Sequence, residues 1–74
     1  MNYREFYDEV VAWIEKNQTQ AALYGFDSEE YFDWVYKSSA AICYKYPGNK
    51  LVKKQMMMLV YWIEEVYNEQ MRGQ

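Results

Sequence analysis

Histidine is absent from this chain, and cysteine and proline occur once each, as Cys43 and Pro47. Without histidine, neither a Ser-His-Asp nor a Cys-His nucleophile can be assembled, and the usual zinc ligand sets are missing. One cysteine excludes an intramolecular disulfide, so the fold must stand on its core alone. Gly25, Gly48 and Gly73 fall at ends and turns and form no phosphate-cradling cluster. No dinucleotide, P-loop, zinc-protease or calcium-loop pattern occurs. The longest apolar run, residues 56–63, is eight residues long, against about 20 for a membrane span. The opening residues, Met1-Asn2-Tyr3-Arg4-Glu5, hold no apolar leader core. These absences predict a cytoplasmic, non-enzymatic protein with no metal, no cofactor and no membrane segment.

Aromatic side chains are abundant: nine Tyr, three Trp and three Phe make up 20% of the 74 residues. That argues against disorder. The mean hydropathy of -0.58 does not contradict it, because Tyr and Trp score low on such scales while burying large apolar areas. A chain of 9.1 kDa suffices for one domain, 1–74, able to bury about 60% of its unfolded surface. Nine tyrosines exceed what so small a core hides, so several are expected at the surface, where Tyr favours contact with other proteins.

The apolar spacing predicts an all-α fold, a compact three-helix bundle. Helix 1 is expected at 3–16, capped by Asn2 with Glu5 three residues on, and carrying Tyr3, Phe6, Val10, Trp13 and Ile14 on one stripe. Residues 17–26 admit two readings: an extra turn at 19–24 started by Thr19, or continuation of helix 1 to a stop at Gly25. Both readings tuck Leu23 and Phe26 beneath the break. Helix 2 is expected at 28–45, with Asp27 and Glu30 as a capping pair and Tyr31, Trp34, Val35, Ile42 and Cys43 as its apolar face. Pro47-Gly48 forces a turn. Helix 3 is expected at 50–71, capped by Asn49, with a seam of Val52, Met56, Leu59, Ile63 and Val66. Short connections imply antiparallel neighbours.

Two features depart from an ordinary small domain. Residues 56–63 are apolar all round helix 3, which exceeds the need of a peripheral helix burying one face. The face away from the core, with Met57, Val60, Tyr61 and Tyr67, is therefore expected to meet a second chain, a C2 homodimer being the simplest cover. Charge is also segregated: residues 1–33 carry a net of -6 and residues 37–54 a net of +5, within a total of -3. Lys50, Lys53 and Lys54 crowd the first turns of helix 3, where the helix dipole favours acids.

Carboxylates four apart, such as Glu5 with Glu9, read as solvated acidic faces, and Cys43 reads as a structural thiol rather than a nucleophile. The expected function is therefore a small protein-interaction or regulatory module that docks a protein partner, anchored by Met57, Tyr61 and Tyr67 and steered by Lys50, Lys53 and Lys54. One alternative is nucleic-acid or phosphate binding through the block 45–54, disfavoured by the sequence pI of 4.8. Another is an acidic inhibitor presenting Asp8, Glu15, Glu29, Glu30 and Asp33 to the basic groove of a nucleic-acid enzyme.

Overall fold

The computed structural model describes residues 1–72 and contains three helices: α1 (Tyr3–Tyr24), α2 (Glu29–Lys45) and α3 (Lys50–Arg72). Among these residues there is no strand. The all-α three-helix bundle expected from the spacing is the observed fold.

Each helix end has a local cause. The Asn2 side chain accepts from the Glu5 amide at 3.0 Å and opens α1. α1 closes at Gly25, whose amide donates to the Ala21 carbonyl at 2.9 Å. Gly25 adopts φ 91 and ψ 134, a region that L side chains seldom enter. Ser28 then opens α2. Its hydroxyl oxygen accepts from the Tyr31 amide at 3.1 Å and donates to the Gly25 carbonyl at 2.8 Å, tying the cap to the preceding turn. The capping oxygen thus comes from Ser28 rather than Asp27, because only Ser28 reaches both partners. Pro47 and Gly48 occupy the centre of the second turn, with φ 74 at Gly48 and the Asn49 amide donating to the Tyr46 carbonyl at 3.3 Å. Pro followed by a positive-φ Gly is the signature of a type II turn. Asn49 opens α3 by accepting from the Val52 amide at 3.2 Å.

α1 does not stop near Lys16. It runs unbroken through Tyr24, because residues 17–24 contain no Gly or Pro and Asn17 at the would-be end turns inward. Asn17 is buried and accepts a hydrogen bond from the hydroxyl of fully buried Tyr31. Continuation of the helix carries Leu23 out to 67% exposure, since it stands about 200° round the axis from the inward-facing Ala21. Phe26 alone is tucked in, against Tyr31 and Tyr67.

The core is built from Phe6, Val10 and Trp13 of α1, Tyr31 and Val35 of α2, and Val52, Met56, Leu59 and Ile63 of α3. Tyr3, expected on the same stripe, is exposed. Trp13 stacks on Trp34 at 5.4 Å between ring centres, and its indole N–H donates to the Ser38 hydroxyl at 2.7 Å. No buried side-chain N or O among the described residues lacks a partner. α2 lies against both neighbours, whereas α1 and α3 meet through side chains alone, as where the Tyr7 hydroxyl donates to Gln55 at 3.2 Å. The result is an elongated body of 43 × 21 × 18 Å. Its surface of 5396 Å² exceeds the about 4,900 Å² expected of a rounder monomer of this mass.

Candidate docking face

α3 carries two opposed faces. Val52, Met56, Leu59 and Ile63 are buried against the bundle. About half a turn round the axis, Lys54, Met57, Met58, Tyr61, Trp62 and Glu65 follow steps of three and four and line a shallow trough along the outer surface. Met57 is 50%, Met58 53%, Tyr61 53% and Trp62 42% exposed. Large side chains present about 150–250 Å² each, so half exposure leaves about 400 Å² of nearly continuous apolar surface. Patches of this size on small proteins are commonly functional. Other exposed apolar side chains are scattered, such as Val11 and Leu23 on α1, Tyr44 on α2, and Leu51 and Met71 towards the two ends of α3.

Met57 and Tyr61 lie on this face, and exposed Lys54 stands at its basic end. Lys50 is one turn further on and Lys53 is beside it, both exposed. Tyr67 does not share the face. It is half-buried, with its ring 5.2 Å from Phe32 in an edge-on arrangement and 6.2 Å from Phe26. Val60 likewise packs against the core. Positions 60 and 67, seven apart, lie on the flank of α3 that turns towards α2. Met58 and Trp62 occupy the outward positions instead. Their spacing of three and four from Lys54 and Glu65 marks them as members of the outer set.

Some of the charge elsewhere is paired within the bundle. Glu9 accepts from both the Lys45 ammonium and the Tyr46 hydroxyl, the latter at 2.5 Å. The bond from Lys45, and then the one from Tyr46, lowers the Glu9 carboxyl pKa below its ordinary range. The same carboxylate pushes the Tyr46 phenol up to about 12 and raises the Lys45 ammonium pKa. Lys45 and Tyr46 of the basic block are therefore joined to α1, and Lys50, Lys53 and Lys54 form its exposed remainder. Asp33 pairs with Lys37 at 3.0 Å. The Tyr36 hydroxyl donates to Glu64 at 2.9 Å, linking α2 to α3 and raising the Tyr36 pKa.

Cys43 is half-buried. No group of three or more Cys, Asp or Glu among the described residues could hold a metal ion. None of the described helices is long and apolar enough to cross a membrane. Comparison with protein-family models, with curated proteins and with solved structures found no match.

Proposed function

We propose that this protein is a non-enzymatic interaction module that docks a protein partner through the outer face of α3. The observation that carries this reading is the clustering of Met57, Met58, Tyr61 and Trp62, each about half exposed, on the side of α3 opposite its buried seam. Aromatic and Met side chains are enriched at the centres of interfaces, and Met adapts its shape to the surface it meets. Lys50, Lys53 and Lys54 at one end steer and orient an approaching acidic surface. A free, half-buried Cys43 suits a reducing, cytoplasmic setting.

The reading is tested by photo-crosslinking in the native cell. A photoreactive benzoylphenylalanine replaces Tyr61 in one variant and Tyr24, 48% exposed at the end of α1, in another. Discrete adducts from position 61, with none of comparable yield from position 24, are the expected result. Equal or absent crosslinking at both positions overturns the reading.

A further inference from the structure

The outer face of α3 is arranged as a palindrome. Along it stand Lys50, Lys54, Met57, Met58, Tyr61, Trp62, Glu65 and Glu69, and the spacing reads the same from either end. Reversing the helix about its midpoint between positions 59 and 60 exchanges Met58 with Tyr61, Met57 with Trp62, Lys54 with Glu65 and Lys50 with Glu69. The four central apolar positions map onto apolar positions, and each of the four charged positions maps onto one of opposite sign. Leu51 and Asn68, exposed on the same face outside that centre, exchange an apolar with a polar side chain. A two-fold interface demands this kind of self-complementarity, because residue i of one copy must meet j of the other while j meets i.

We propose that the occupant of this face is a second copy of the chain, laid antiparallel on α3 about a two-fold axis at the level of Met58 and Tyr61. This proposal rests on the docking reading above and names its partner. In the antiparallel register Lys54 faces Glu65 and Lys50 faces Glu69, each pair formed twice. The Lys54 and Glu65 positions lie about 16 Å apart along each helix, so the charges bracket the apolar centre rather than interrupt it. A parallel arrangement sets Lys against Lys and Glu against Glu, and charge therefore selects the direction. Arg72, on the same face beyond Glu69, is the basic exception at the acidic end. It lies past the reach of the partner's Lys50 by about one turn.

The area fixes the strength. Two apolar centres of about 400 Å² each, with the charged rims around them, approach the about 1,200 Å² at which stable interfaces begin. The pair is therefore a weak, salt-sensitive dimer that forms at micromolar concentration, with apolar contact holding it and the rim setting its register.

Sedimentation equilibrium of the full chain and three variants tests this. K54E and E65K each set like charges opposite one another at two symmetric places, and each weakens the dimer by about tenfold. The double variant K54E/E65K restores the opposition and returns association to within about threefold of the parent. Helical circular dichroism stays unchanged throughout, since both side chains lie on the exposed rim. A parent that remains monomeric at several hundred micromolar overturns the proposal. So does a dimer indifferent to the single reversals, or one that the double variant fails to rescue. The two readings separate cleanly. Adducts of Tyr61 with a different protein, together with a monomeric parent, remove self-pairing and keep the docking face; equal or absent crosslinking at positions 61 and 24 removes the docking face itself.

Discussion

Replacing Tyr31 by Phe deletes one oxygen from the centre of the bundle. The ring of Tyr31 is fully buried and its hydroxyl donates to the side-chain oxygen of Asn17, itself only 7% exposed. The variant keeps the ring contacts with Phe26, Phe32 and Trp34, so packing is almost unchanged. What changes is that the Asn17 oxygen is left in the interior without its donor. Such an orphan costs about 1–3 kcal/mol, more than the net worth of the hydrogen bond itself. Each kcal/mol lowers Tm by about 4–8 °C in a domain of this size. Urea unfolding followed by tryptophan fluorescence measures the loss, and an unchanged slope against urea confirms that stability alone moved. The double variant Y31F/N17L removes both polar partners together and recovers most of the loss, because no unpaired group then remains. A neutral Y31F, or a double variant no better than the single, refutes the reasoning, since the Asn17 oxygen must then find water or another donor.

Gly25→Ala destabilises the fold by about 1–3 kcal/mol, read by the same urea assay, because φ 91 with ψ 134 is a region nearly confined to glycine. The added Cβ meets only Asp27 Oδ1, at an ordinary 3.6 Å, so the cost is conformational rather than a clash. Met56→Ala in the core costs about 2–5 kcal/mol, whereas Leu23→Ala at an exposed position stays within about 0.5 kcal/mol; thermal unfolding followed at 222 nm separates them. The pH dependence is set by the Glu9 cluster. The Tyr46 phenol, raised to about 12, stabilises the fold fully below its unfolded value of about 10. That contribution is lost as pH rises towards 12. Absorbance at 295 nm should show a late-ionising tyrosine that vanishes in Y46F and ionises earlier in E9Q. The lowered pKa of Glu9 works in the opposite sense. Its contribution is complete above the ordinary carboxyl value of 4.5 and is lost as pH falls through its folded value, so parent and E9Q converge in stability in acid.

Much of the fold was legible because the strongest signals were local. Asn2, Asn49 and Pro47-Gly48 act through neighbours within a turn, and the seam from Val52 to Ile63 repeats at helical steps that need no partner to be recognised. The extent of α1 was harder to read. Its last two turns are held by Asn17 bonding to Tyr31 across the bundle, and a polar residue gives no apolar signal of its inward orientation. Its position four after Trp13 was the available clue. Glu9 is a similar case, since its bonds to Lys45 and Tyr46 depend on how the ends of α1 and α2 come together. At the docking face, the excess of apolar residues over helix 3's own needs was readable, and Met57 and Tyr61 were assigned from it. Sorting Met58 and Trp62 from Val60 and Tyr67 required knowing which flank of α3 turns towards α2.

The central place of α2 bears on how the chain reaches its fold. Backbone approaches between helices join segments that are consecutive along the chain, α1 to α2 and α2 to α3. The search therefore closes two short hairpins and never waits on a distant pairing. Topologies of this kind cross their folding barrier in microseconds to milliseconds. Nascent chain emerging behind α2 would complete the second hairpin almost as soon as α3 is available, leaving little time for the apolar side of a lone helix to meet the wrong neighbour.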